Sequence, residues 1–139
     1  MTLSERDQEL ITAATAAIKA RYRNDWQEVG AALRTRDGRV FTGVNLDAYV
    51  GRGAVCAEAV AIGRAITEIG DMGIETIVAV RHPEPGESGK IAVVSPCGSC
   101  RELIHDYDAK ARVIVPDGKQ PTVLTIGELL PNKYRRGMT

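Results

Sequence analysis

All three cysteines of this 139-residue chain fall in two short stretches, Cys56-Ala57-Glu58 and Pro96-Cys97-Gly98-Ser99-Cys100, and a carboxylate stands two residues past the first. Three thiolates are a ligand set for Zn2+, and three protein ligands leave a tetrahedral ion one position short. That open position is where such an ion activates water, whereas a structural zinc closes its shell with a fourth protein ligand. A Cys-x-x-Cys pair at a helix start puts both sulfurs on one turn, where free N–H groups and the positive helix end favour thiolate over thiol. Cys56 supplies the third sulfur from a second helix start. Glu58 is then close enough to face the water without ligating the metal.

Two other arrangements use the same cysteines. A closed structural site needs a fourth ligand, from His82 or His105. His105 lies five residues beyond Cys100, about 140° around an ideal helix, and points away from the sulfurs. His82 precedes Pro83 in a loop and stays open as a ligand. A thioredoxin-like redox pair at Cys97 and Cys100 leaves Glu58 idle. A catalytic zinc with Cys56, Cys97 and Cys100 as ligands and Glu58 as acid and base uses every residue in the pattern.

The elements that position these residues alternate between helix and strand. Ser4 caps a first helix with Asp7 three residues on, and Leu10, Ile11, Ala14, Ala17 and Ile18 recur at helical spacing as a core stripe. Residues 29–35 and 40–46 read as a hairpin, with Asp37-Gly38 in the turn. An Ala- and Ile-rich helix over 56–69 carries Cys56 and Glu58 and ends near Gly70 and Gly73. Strands follow at 74–80 and 91–95, the second leading straight into Pro96-Cys97 and a helix to about Tyr107. Strands at 112–115 and 121–124 flank a Pro116-Asp117-Gly118-Lys119 turn, and Thr125 to Glu128 opens a last short helix. The result is one mixed sheet between helices in a single domain over 1–139, without repeat or linker. Loops 47–55 and 82–90 flank the site.

Composition fits a small globular enzyme: hydrophobic residues make up 44% and charged residues 26%, values at which a core of this size forms. A formal net charge of zero provides no basic footprint for nucleic acid, and no apolar run is long enough to span a bilayer. The polar start, Thr2-Leu3-Ser4-Glu5-Arg6-Asp7, and three metal-ready cysteines are expected of a cytoplasmic protein.

One ligand, x-Glu, then Pro-Cys-x-x-Cys is the pattern of zinc deaminases. With Cys56-Ala57-Glu58 and Ser95 to Arg101 as paired signatures, and Val29-Gly30-Ala31-Ala32 and Gly43-Val44-Asn45 in support, the chain resembles the cytidine deaminase superfamily. Within it, Asp37 to Asn45 and Glu128-Leu129-Leu130-Pro131 are similar to the blasticidin S deaminase branch, so the resemblance spans nearly the whole chain. It implies a three-layer α/β/α cytidine deaminase-like fold, with a five-stranded mixed sheet whose last strand is antiparallel. It also implies a homotetramer in which neighbouring subunits help close each site. By the same resemblance, one Zn2+ per subunit is bound by Cys56, Cys97 and Cys100. Glu58 moves protons from water to pyrimidine N3 and the leaving amine, giving a uracil ring and ammonia. Ala57 and Ser95 recognise the ring edge through backbone groups, and Asn45 binds the sugar of a small-molecule cytosine nucleoside.

Departures from the pattern bear on substrate. Ordinary cytidine deaminases read Asn-x-Glu-Asn where this chain has Asn45-Leu46-Asp47-Ala48, so Asp47 is either a shortened sugar contact or a solvent-facing turn residue. Trp26 stands near the branch's aromatic and either walls the base or packs in the core. Tyr134 stands where the branch's C-terminal aromatic closes the site, Lys90 is displaced from the branch's basic residue, and loop 47–55 is longer. Ala59 replaces the arginine that many three-cysteine deaminases use to offset thiolate charge, which leaves that work to the helix ends and to Arg101, unless Arg101 is a plain surface salt-bridge partner. Nucleic-acid-editing relatives need a crossover helix between parallel last strands, and the 116–119 turn has no room for one. Free nucleosides are therefore favoured over tRNA or DNA. A guanine-type purine deaminase and a non-catalytic zinc-stabilised binding module are the alternatives. Pyrimidine salvage and antibiotic resistance draw on the same chemistry.

Overall fold

The structure is a computed structural model that describes residues 2–137. Helix α1, Glu5–Arg21, starts at a capping box in which Ser4 Oγ accepts from the Asp7 N–H (3.2 Å) and Asp7 Oδ2 accepts from the Ser4 N–H (3.0 Å). Strands β1, Val29–Arg34, and β2, Val40–Val44, form the expected hairpin, closed by Gly38 at φ 94°. Helix α2, Ala57–Ile69, ends at Gly70, whose φ of 82° stops it. Strand β3 (Thr76–Arg81), strand β4 (Ala92–Val94) and helix α3 (Gly98–Tyr107) follow. Strand β5 (Arg112–Asp117), strand β6 (Gln120–Thr125) and helix α4 (Ile126–Leu129) complete the chain.

The sheet runs β2-β1-β3-β5-β6, with β4 paired to β3, so it has six strands among the described residues rather than the five expected. The extra strand has a simple origin. Strand β5 pairs in parallel with only the first part of β3, at Thr76 and Ile77, and β4 runs antiparallel along the remainder, from Ala79 to Arg81. Without β4 the end of a buried strand would present unpaired N–H and C=O groups. Strands β5 and β6 are antiparallel across a tight turn, in register from Arg112 opposite Thr125 to Asp117 opposite Gln120, as the 116–119 turn predicts.

Alternation along the strands buries both faces of the sheet. Ala31, Leu33, Ile77, Ala79, Val113 and Val115 pack towards α2, α3 and α4, while Ala32, Val78, Val80 and Ile114 pack towards Leu10, Ala14 and Ile18 of α1. The outcome is the expected α/β/α layering. Two glycines let the helices approach. A Cβ on Gly30 would stand 2.5 Å from the Ala14 carbonyl oxygen of α1, and a Cβ on Gly43 would stand 2.7 Å from the Ala61 nitrogen of α2.

A part-buried ion pair, with Asp7 buried and Arg112 one-third exposed, fastens α1 to the sheet. Arg112 Nη1 and Nη2 donate to the two Asp7 carboxylate oxygens at 2.9 and 3.0 Å, and Nη1 also donates to Thr76 Oγ1 at 2.7 Å. Burial pushes the Asp7 carboxyl up, but Arg112 and Ser4 outweigh it and hold the group below its ordinary value. A carboxyl depressed in the folded state adds stability above its unfolded pKa, and that stability is lost as pH falls through the folded pKa. Asp7→Asn is therefore expected to lose about 2–4 kcal/mol at neutral pH. Denaturant titrations should show the gap from wild type shrinking below about pH 4.

Candidate active site

Both metal-ligand stretches begin helices. Cys56 is the N-cap of α2 and Cys97 the N-cap of α3, where Cys97 Sγ accepts from the Cys100 N–H at 3.4 Å. Cys56 Sγ and Cys97 Sγ lie 3.6 Å apart, and all three sulfurs lie within 4.8 Å of one another. Tetrahedral Zn–S bonds of about 2.3 Å require sulfurs about 3.8 Å apart, so the three cysteines fit the ion. Neither histidine joins them. His82 stacks on Tyr22 at 3.7 Å with its Nδ1 2.7 Å from the Pro83 carbonyl, and His105 is buried along α3.

The electrostatics of the cluster call for a cation. Burial raises the Cys56 and Cys100 thiols, and Glu58 pushes all three thiols up. Burial acts upward on Cys97 too, but its hydrogen bonds from the Cys100 N–H and the other thiols bring it below its ordinary value. Glu58 is itself only 5% exposed, and burial raises its carboxyl; the Cys100 thiol hydrogen-bonds to it. Two thiols held neutral by their surroundings become ligands when a divalent ion displaces their protons. Zn2+ is the ion suited to a three-sulfur set with an open fourth position.

Arg101 turns its guanidinium to main-chain carbonyls. Its Nε donates to the Pro96 carbonyl (2.9 Å) and its Nη1 to the Leu129 carbonyl (3.1 Å), so it ties the cysteine loop to α4. Cys56 and Cys97 stand at the positive N-terminal ends of α2 and α3, and at Cys97 a helix N–H donates to the sulfur.

A cavity of about 320 Å³ opens over the cluster. Cys56, Cys97, Glu58, Asn45, Asp47, Ala57 and Ser95 line it, and Val29, Leu46, Val55 and Val94 supply apolar walls. The apolar walls were not singled out in the sequence, although Val94 ends the strand that delivers Cys97. Leu46 and Val55 exchange two backbone hydrogen bonds of 2.8 Å, which pin the stems of loop 47–54 together at the cavity edge. Asp47 turns Oδ1 to its neighbour's backbone, accepting from the Ala48 N–H at 2.8 Å.

Asn45 has a structural task beside the expected one. Its Oδ1 accepts from the Glu28 and Val29 N–H groups (2.8 and 3.0 Å) and its Nδ2 donates to the Trp26 carbonyl (2.9 Å). One amide hydrogen is left for a ligand. Asn45→Ala strands two part-buried N–H donors, so a loss of about 2–3 kcal/mol in thermal or denaturant unfolding is expected together with a raised KM.

Trp26 and Tyr134 do not line this cavity. The Trp26 ring is half-buried, 5.4 Å from the fully exposed Tyr49 ring, with the Arg23 guanidinium 5.7 Å over it. Tyr134 is 74% exposed beside a hollow on the outer side of α3. The neighbouring Lys133 anchors it: Nζ is within 2.8 Å of both Glu102 and Asp106 and donates to the Tyr134 carbonyl at 2.9 Å. Lys90 is exposed and also stands apart from the cavity.

Comparison with known proteins agrees with this geometry. The chain is 46% identical over 135 residues to a blasticidin-S deaminase of Bacillus cereus, covering 96% of each. Its fold matches the crystal structure of cytidine deaminase from Mycobacterium leprae with a TM-score of 0.73 at 30% identity, over 90% of this chain and 97% of that one. It matches the cytidine deaminase of Bacillus anthracis with a TM-score of 0.78 at 25% identity, over 91% and 88%. Residues 4–116, which hold the three cysteines and Glu58, match the cytidine and deoxycytidylate deaminase zinc-binding region, and the chain belongs to that family.

Proposed function

We propose that the protein hydrolyses the exocyclic amine of a free cytosine nucleoside, giving the uracil product and ammonia. The observation that carries this reading is three convergent cysteine sulfurs, two of them lining a cavity of about 320 Å³ together with the buried Glu58. Bound Zn2+ supplies the Lewis acid that makes water nucleophilic at neutral pH. Glu58 takes a proton from the attacking water and delivers one to ring N3, which makes C4 electrophilic. A second proton reaches the amine as the C4–N bond breaks and the C4–O bond remains. Burial suits Glu58 to this, because it raises the carboxyl above its ordinary value and so makes the carboxylate a stronger base.

Backbone groups of Ala57 and Ser95 meet the ring edge, and Asn45 and Asp47 meet the sugar end. Cytidine, deoxycytidine and blasticidin S are the candidate substrates, the last favoured by the 46% identity to the Bacillus cereus enzyme. The antiparallel β5–β6 pair and zero net charge favour a free nucleoside over a polynucleotide. A homotetramer belongs to the same reading: the exposed Tyr134, whose carbonyl accepts from Lys133, and the exposed Tyr49 are presented to neighbouring copies.

The test is ammonia release by zinc-loaded protein offered cytidine, deoxycytidine, blasticidin S and guanine separately. Turnover of a cytosine nucleoside is expected. Turnover of guanine alone would replace the reading with a purine deaminase, and no turnover with zinc bound would replace it with a binding module.

A further inference from the structure

Gly43 occupies a position where only its lack of a side chain matters. It lies mid-hairpin on β2, opposite Ala31 of β1, and its φ is not in the left-handed region that calls for glycine elsewhere in this chain. Any residue would suit the backbone, so the space above it is what excludes a side chain. A Cβ there would stand 2.7 Å from the Ala61 nitrogen, 2.9 Å from the Ala57 oxygen and 3.0 Å from Val60 Cβ. Two of these are main-chain atoms of α2, which cannot rotate away. Ala57 and Glu58 are the first residues of that helix and both line the cavity. Beyond the contact, Arg64 Nη1 donates to the Thr42 carbonyl at 2.9 Å and fastens the same strand to the same helix.

We propose that Gly43 is a positioning residue of the active site: it lets α2 rest on bare β2 backbone and so sets the height of Ala57 and Glu58 over the cavity. The inference rests on reading that cavity as a deaminase site. An added methyl must displace either the strand or the first turns of α2, carrying Cys56, Ala57 and Glu58 with them. Misplacement of a reacting group by about 1 Å costs on the order of a hundredfold in rate, so a shift of a few tenths of an ångström is expected to cost about tenfold.

The fold contains its own control. Gly30 makes an equally close approach on the other face of the sheet, with a Cβ 2.5 Å from the Ala14 oxygen, but its helix, α1, contributes nothing to the cavity. Gly30→Ala and Gly43→Ala should both lower the thermal midpoint. At a temperature where both remain folded, Gly43→Ala is expected to lose about tenfold or more in kcat and to yield zinc more readily to a competing chelator. Gly30→Ala should keep kcat and zinc retention within about twofold of wild type, because its strain falls on the far face. Equal kcat per folded molecule in the two variants overturns the proposal. If Gly43→Ala does not fold, Arg64→Ala decides: a kcat reduced about threefold supports the proposal, and an unchanged kcat overturns it. If wild type deaminates no cytosine nucleoside, the reading of function fails and zinc retention decides alone. Weaker retention in Gly43→Ala than in Gly30→Ala then supports positioning, and equal retention overturns it.

Discussion

Glu58→Gln is expected to remove deamination, by about 10²–10⁴-fold or more, while fold and zinc content survive. The substitution keeps the volume of a side chain that is 95% buried, so no cavity opens in α2. It also removes a group whose ionised form burial disfavours, and the amide can still accept from the Cys100 thiol. Stability should therefore hold or rise slightly in a melting experiment. Glu58 pushes all three thiols up, so its neutral replacement eases their ionisation and should bind zinc at least as well. A Gln variant that holds one zinc per chain, melts no lower than wild type and releases no ammonia places the lost step in proton transfer. Measurable turnover at a tenth of the wild-type rate or above would mean that another group moves the protons.

Removing a ligand should act on a different quantity. Cys56→Ala and Cys97→Ala each leave two sulfurs, and both variants are expected to lose zinc to a mild chelator, and with it activity. They should part in the stability of the metal-free protein. Cys56 makes no side-chain cap bond, whereas Cys97 Sγ accepts the Cys100 N–H at the start of α3. Losing that cap is expected to cost about 0.5–1 kcal/mol beyond the Cys56 change, measurable by denaturant titration in the presence of chelator. Equal stabilities would mean that the sulfur cap contributes nothing once the metal is gone.

The chemistry was more legible in the sequence than the walls around it. Cysteine spacing constrains where sulfurs can meet, because a Cys-x-x-Cys turn and an N-cap each have few geometries, and the structure brings Cys56, Cys97 and Cys100 together. Strand and helix types were also readable, since both faces of the sheet are covered and apolar runs mark the strands. The sixth strand was less so: 91–95 reads as a strand, but only three-dimensional pairing reveals that β5 leaves half of β3 for it. Spacing leaves both roles of Arg101 open, because one guanidinium next to a ligand can reach either sulfur or carbonyl, and the local backbone decides between them. Trp26 and Tyr134 depend on chain geometry far from the motif, and sequence spacing carries no information on which cavity an exposed aromatic serves.

The two-way Leu46–Val55 bridge separates two kinds of change. Below it, β2 is paired with β1 and Cys56 caps the start of α2; above it, residues 47–54 hydrogen-bond among themselves, with the Gly53 and Ala54 N–H groups donating to the Val50 and Gly51 carbonyls, and Tyr49 lies near the Trp26 ring. Insertions, deletions or grafts between the two bridge residues alter the rim that meets a substrate's outer portion without passing through the metal site. The segment between the bridge residues can thus be redrawn without altering the helix starts that bring the three sulfurs together.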